Sequence, residues 1–169
     1  EVENLYKKSS INLFLVGGLF FLLINCGVHE LFKMMPETGY SGGEIVVLMI
    51  SFAKLYTMFL GNNGAIITNS KFYRITLPIG VGSALAVYFL NKLFYFKMDL
   101  GTDGLALATL LTILFFNTVK LIFVKKKFSI TPFTNQSLLL FFIILALMAS
   151  FFFWNFSLPE ISFFARNIS

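Results

Sequence analysis

The stretch INLFLVGGLFFLLINCGVHELF, residues 11–32, decides the class of this protein. It is apolar over almost its whole length, and about 20 mostly apolar residues are what an α-helix needs to cross the hydrocarbon core of a membrane. The run is also longer than the apolar core of a signal peptide. It therefore predicts a membrane-spanning helix.

Similar apolar stretches follow along the chain, separated by short linkers. Together with the first, the predicted spans cover residues 11–32, 45–68, 75–96, 104–124 and 137–158. We predict an all-α fold, a polytopic membrane helix bundle of about five transmembrane helices that forms a single domain over residues 1–169. Because the linkers are short, consecutive helices are expected to lie side by side and antiparallel.

The composition of the chain agrees with a protein solvated by lipid. Of its 169 residues 57% are hydrophobic and 12% are charged, whereas soluble domains are roughly 45–50% apolar and about 25% charged. A net charge of +5 is interpreted as loop charge that sets orientation, so no nucleic-acid partner is predicted. The sequence contains no paired Cys or His, no nucleophile elbow and no phosphate-binding glycine loop. We therefore predict no enzyme activity, no catalytic residue, no metal and no cofactor.

The distribution of basic residues predicts the orientation of the spans, since lysines and arginines concentrate in cytoplasmic loops. One side of the predicted membrane carries most of them, namely Lys7, Lys8, Lys71, Arg74, Lys120 and Lys125 to Lys127. The other side carries Lys33, Lys92, Lys97 and Arg166. This alternation predicts a cytoplasmic N-terminus. Because the span count is odd and an apolar tail follows at residues 161–164, we expect a fragment whose full-length protein continues into a sixth helix.

Small and polar residues in the spans predict where helices pack, because membrane helices associate through close contacts and interhelical hydrogen bonds. Small residues spaced four apart form stripes at Gly80 and Ala84, at Gly82 and Ala86, and at Gly104, Ala108 and Thr112. Asn25, Asn91 and Asn117 are interpreted as interhelical hydrogen-bonding residues, and Thr102 or Asp103 as the N-cap of the helix over 104–124.

Lys54 is the clearest candidate for a functional residue. It lies inside the second predicted span, where a lysine costs roughly 2.5–3.5 kcal/mol at the helix centre and is therefore a functional candidate by default. Facing inward, with Tyr56 nearby, its ammonium could bind an anionic group such as a phosphate. The alternative is that Lys54 extends to an interface or pairs with a residue of another helix.

The run Gly61-Asn62-Asn63-Gly64 is the second candidate site. Glycines and asparagines at membrane depth weaken a helix, and broken helices are tolerated where their free backbone groups line a cavity. The predicted substrate-binding residues are thus Lys54, Tyr56, Asn62 and Asn63. The alternative is that the helix ends at Leu60 and the run is a surface turn.

Two segments resemble bacterial polysaccharide biosynthesis proteins of the multidrug, oligosaccharidyl-lipid and polysaccharide exporter superfamily. These segments are GGEIVVLMISFAKLYTMFLGNNGAIITNSK, residues 42–71, and LGTDGLALAT, residues 100–109. In that family a Gly-x-x-Gly loop leads into an alanine-rich helix that ends in a basic cluster, which corresponds here to residues 120–127. The resemblance extends over residues 6–158.

The resemblance implies a flippase of the inner (plasma) membrane, in which two helical bundles enclose a cavity. It would move a polyprenyl-pyrophosphate-linked oligosaccharide, such as an O-antigen or other surface polysaccharide unit, by alternating access. The implied partners are this lipid-linked oligosaccharide, membrane lipid and a missing N-terminal bundle of the same chain. The alternatives are a multidrug or small-molecule exporter of the same superfamily and an inactive partial membrane protein.

Overall fold

The computed structural model describes the backbone of residues 2–34 and 43–166, and their side chains up to Ser150 except those of Glu30 and Lys33. Every regular element of this part is helical, which confirms the all-α bundle. The helices are α1 (Val2–Met34), α2 (Gly43–Phe59), α3 (Asn63–Thr68), α4 (Thr76–Asn91), α5 (Gly101–Phe128) and α6 (Asn135–Arg166). A 3₁₀ turn (Tyr73–Ile75) precedes α4, and a π-helical stretch (Lys92–Lys97), here called the π segment, follows it.

Three helical stretches are long and apolar enough to cross a membrane, namely Val2–His29, Tyr73–Lys97 and Gly101–Phe128. They correspond to the first, third and fourth predicted spans and support a membrane protein. A shorter apolar helical stretch covers Asn135–Ser150. Residues 35–42, most of the linker between the first two predicted spans, lie outside the described residues, as do the side chains of the remaining part of the fifth span and of the tail at 161–164.

The second predicted span is broken. Helix α2 has 17 residues, about 26 Å at 1.5 Å per residue, and so falls short of the roughly 30 Å hydrocarbon core. Gly61 follows with a φ of +62°, a left-handed conformation that glycine adopts at little cost. The chain becomes helical again in α3, where Ile66 N donates to Asn62 O at 3.1 Å. The structure therefore shows an interrupted helix over 45–68, as the run Gly61-Asn62-Asn63-Gly64 indicates.

The neighbour relations differ in part from those that the short linkers predict. Helix α6 packs on α1, α1 on α2, α2 on α5, and α5 on α4. The prediction that consecutive helices lie side by side is confirmed for α1 with α2 and for α4 with α5, whereas α2 packs on α5, and α6 on α1, among the described residues. Ala53 of α2 and Ala108 of α5 are completely buried, and small residues of this kind let membrane helices approach closely.

The small-residue stripes differ in how closely other helices pack against them. Gly104, Ala108 and Thr112 are all buried in α5, as predicted. In α4, a side chain at Gly82 would contact the Phe116 ring of α5 at 3.2 Å, whereas Gly80 has no neighbour within 4 Å. Only one of the two α4 stripes therefore contributes to packing among the described residues.

Two of the three predicted interhelical asparagine contacts are observed. Asn25 Nδ2 donates to Ser51 Oγ at 2.9 Å and links α1 to α2. Asn117 Nδ2 donates to Thr57 Oγ1 at 3.1 Å and links α5 to α2. The Oδ1 atom of Asn91 has no partner among the described residues.

The predicted N-cap of α5 is wrong. Helix α5 begins at Gly101, earlier than the predicted start at residue 104, and Leu100 occupies the N-cap position without a side-chain hydrogen bond. Asp103 consequently lies in the first turn, where its negative charge interacts favourably with the positive end of the helix dipole. The left-handed Gly101, with a φ of +55°, is what allows this early start.

Candidate functional site

A groove between α1 and α2 contains Lys54 and is called here the α1–α2 groove. It has a volume of about 460 Å³, and its walls are mainly Phe20, Phe21, Ile24, Val47, Ile50 and Met58. Ser51 and Lys54 supply its polar groups. Among the described residues that line the groove, Lys54 alone is ionisable, so the groove combines a long apolar surface with one cation.

The register of α1 against α2 fixes the height of Lys54. On one side of it, Ser51 accepts the hydrogen bond from Asn25. On the other side, Met58 packs closely on Gly17 of α1. A Cβ atom added to Gly17 would lie 3.2 Å from Met58 Cβ. Lys54 lies between these two contacts and shares the groove with Phe21, which is at the middle of the first predicted span. The backbone at Lys54 is therefore level with the middle of the predicted span over 11–32.

The ammonium of Lys54 is not neutralised within the described bundle. Lys54 is exposed at the surface of the bundle, and no acidic residue among those described forms an ion pair with it. An unpaired cation at membrane depth is costly. Its free energy is lowered by an anion that binds beside it, which is the chemistry expected of a binding site for phosphate or carboxylate.

Tyr56 lies on the opposite side of α2 from Lys54, because residues two apart in an α-helix point about 200° apart. Its hydroxyl is 2.6 Å from Thr118 Oγ1 of α5. The Thr118 hydroxyl itself donates to Leu114 O at 2.6 Å, so the Tyr56 hydroxyl is the donor in the pair. Tyr56 therefore connects α2 to α5 and does not line the α1–α2 groove.

Asn62 and Asn63 lie at the helix break, about two helical turns beyond Lys54. Asn62 Nδ2 donates to Ser9 Oγ of α1 at 2.8 Å. Asn63 is 6% exposed and its Nδ2 has no partner among the described residues. The break therefore packs against the beginning of α1.

Close packing at the break involves Gly61 and Ser10. A side chain at Gly61 would clash with the Ser10 hydroxyl and lie 3.0 Å from Ser10 Cα. Next to this contact, Tyr6 donates its hydroxyl hydrogen to Leu60 O at 2.9 Å, which satisfies a carbonyl freed by the end of α2. The break is thus held by α1 rather than exposed as a surface turn.

The structure does not bring the four predicted binding residues together. Lys54 lines the groove, Tyr56 contacts α5, and the two asparagines lie at the break. The sequence interpretation did not identify the apolar walls that α1 contributes, in particular Phe20. The signal for them was the pair Gly17-Gly18 in the first span, because small residues mark where a second helix approaches.

Compared with known proteins, this chain matches no family model, no curated protein and no solved structure.

Proposed function

We propose that this chain forms part of a membrane transporter that moves a polyprenyl-pyrophosphate-linked oligosaccharide across the inner membrane, with the N-terminus of the chain in the cytoplasm. The observation that carries the proposal is the position of Lys54. It supplies a cation without an acidic partner among the described residues, in an apolar groove of about 460 Å³, and we place this cation near the middle of the membrane.

The chemistry of the groove suits a substrate with two unlike parts. A pyrophosphate is anionic, and a lysine ammonium binds phosphate oxygens as a compact point charge. An isoprenoid chain is apolar, and burying it against Phe20, Phe21 and Ile24 gains about 25 cal/mol per Å² relative to water. We propose that Lys54 binds the pyrophosphate while the aromatic wall of α1 contacts the chain beside it.

The broken helix supports a transport role in a different way. Discontinuous helices are common in transporters, where their interrupted ends form substrate and ion sites while whole units of the bundle rock around them. Here the break after Phe59 is in contact with the start of α1 through Ser9 and Ser10. We propose that α1 and the α2–α3 unit move together during alternating access, since these contacts join them at one end of the groove and the Asn25–Ser51 hydrogen bond joins them at the other.

Substitution of Lys54 tests this function. In cells that naturally make the protein, Lys54→Met removes the charge and keeps the apolar stem. We expect the export of surface polysaccharide to fall by about tenfold or more, because losing a hydrogen bond to a charged group costs about 1.5–3 kcal/mol. The measurement is the amount of surface polysaccharide per cell, with the membrane level of the protein quantified in parallel.

Two further variants are the controls. Lys54→Arg keeps the positive charge and should retain most of the export. Lys71→Met removes an exposed lysine beyond α3, outside the groove, and should leave export unchanged. Normal polysaccharide in the Lys54→Met strain, at an unchanged protein level, would remove Lys54 from the mechanism and the main support from the proposal.

A further inference from the structure

A second groove lies where α4 passes into the π segment. It has a volume of about 360 Å³ and is lined by Tyr88, Asn91, Lys92, Tyr95, Phe96 and Leu105. Leu105 comes from α5, and the remaining residues recur at intervals of three and four and so share one helical face. This groove, called here the α4–α5 groove, is distinct from the one that contains Lys54.

The height of the α4–α5 groove is that of the lipid headgroups. The candidate span Tyr73–Lys97 ends at the π segment, so Lys92 and Tyr95 belong to its last turns. Tyrosines are enriched at the membrane–water interface, and lysines near the ends of spans direct their ammonium groups to it. Whatever occupies the groove must therefore be present at this interface.

The polar groups of the groove are uncommitted. The Oδ1 atom of Asn91 is buried without a hydrogen-bond partner among the described residues, and no acidic residue among them pairs with Lys92. Rotation of the asparagine side-chain amide interchanges its oxygen and its nitrogen. A ligand hydroxyl both donates and accepts hydrogen bonds, so it pairs with whichever of these two atoms faces the groove. Lys92 adds a positive charge next to this amide.

The local backbone is also unusual. Across the π segment Met98 N donates to Leu93 O at 3.1 Å, and Leu100 N donates to Phe94 O at 3.1 Å. Such widened turns are rare in helices and frequent at functional sites. In this chain the widened turns present Tyr95 and Phe96 beside Leu105, and these side chains give the groove an apolar side.

We propose that the α4–α5 groove is a binding site for an anionic phospholipid whose headgroup carries a hydroxyl. Lys92 pairs with the phosphate, the amide of Asn91 hydrogen-bonds the headgroup hydroxyl, and an acyl chain lies along Tyr88 and Leu105, which are deeper in the span. The site recognises a lipid of the surrounding membrane and does not depend on the function proposed for Lys54.

Lipid titration of the purified full chain, followed by native mass spectrometry, tests the site. The probes are phosphatidylglycerol and phosphatidylethanol, which carry the same single negative charge but differ in the headgroup hydroxyls. We expect phosphatidylglycerol to bind about fivefold more tightly, the ratio that one net hydrogen bond supports. Asn91→Leu should abolish this preference, because it removes the amide and keeps the size of the side chain.

Removing the charge separates a specific site from general attraction to anionic lipid. Lys92→Gln should weaken the binding of both lipids about tenfold, the effect of losing a hydrogen bond to a charged group. Lys97→Gln, also in the π segment but outside the groove, should leave both unchanged. Equal binding of the two lipids to the unmodified protein, or equal weakening by the two lysine substitutions, would overturn the proposal. Both lysines are exposed, so these variants are expected to fold.

Discussion

Helix α4 and the group formed by α1, α2 and α5 are both strongly apolar, yet they pack in different ways. In α1, α2 and α5 there are completely buried residues, among them Ala53, Ala108 and Val124. Helix α4 contains no buried residue and packs mainly on α5. Hydropathy therefore does not distinguish the packed helices from the one at the edge of the described bundle.

What differs between the two regions is the number of polar and close contacts. The α1–α2–α5 group is joined by side-chain hydrogen bonds from Asn25, Tyr56 and Asn117. No such bond joins α4 to another helix among the described residues, and its close contact is Gly82 with Phe116. Since lipid is as apolar as leucine, these contacts rather than apolar area decide which membrane helices associate.

Of the substitutions that test this comparison, Gly61→Ala at the helix break is expected to lower the stability of the protein most. The new side chain would meet the Ser10 backbone at 3.0 Å and would require a left-handed alanine. We expect a loss of roughly 2–5 kcal/mol, from about 1–2 kcal/mol of backbone strain and about 1–3 kcal/mol of overpacking. Unfolding by a denaturing detergent in mixed micelles measures the difference.

Gly64→Ala is the matched control for this substitution. Gly64 lies in α3 with no neighbour within 4 Å, so alanine is expected to be neutral or stabilising by about 0.5–1 kcal/mol. Similar stability losses in both variants would mean that the break is not held against α1 as described.

A smaller effect is expected from Tyr56→Phe, which removes the hydrogen bond to Thr118. The loss should be about 0.6 kcal/mol, the average for interhelical side-chain hydrogen bonds in membranes. Tyr88→Phe in α4 is the control, because the Tyr88 hydroxyl has no hydrogen-bond partner among the described residues and the side chain is 62% exposed. The same unfolding assay applies, and an equal loss in both variants would contradict the contrast between the two regions.

Much of the fold could be predicted from local features of the sequence. Length and hydropathy located three of the spans, and Gly61-Asn62-Asn63-Gly64 indicated the break in the second. The contacts of α5 with α2 and of α6 with α1 could not be predicted from linker length, since a short linker limits the distance between helix ends but not which faces meet. The complete burial of Ala53 depends on contacts between distant parts of the chain.

The candidate site was predictable to a lesser degree. Lys54 itself could be predicted as a candidate, because a charge within a membrane span is energetically costly. Residues two positions apart in an α-helix point to opposite sides, so the sequence alone places Lys54 and Tyr56 on different faces of α2. The prediction that both bind one substrate is inconsistent with this helical period. The α1–α2 groove needs Phe20 and Gly17 of the neighbouring helix, and no local pattern around Lys54 reveals them.

The central claim of this account is that residue 54 lies at the middle of the membrane. Its most direct test is electron paramagnetic resonance of a nitroxide label at Lys54→Cys, in a chain whose one native cysteine, Cys26, is replaced by alanine. Collision rates with oxygen and with a water-soluble nickel complex report the depth, and labels at Phe115 in α5 and at Lys71 beyond α3 are the references. We predict a ratio of the two rates close to that at Phe115, and a ratio equal to that at Lys71 would contradict the account.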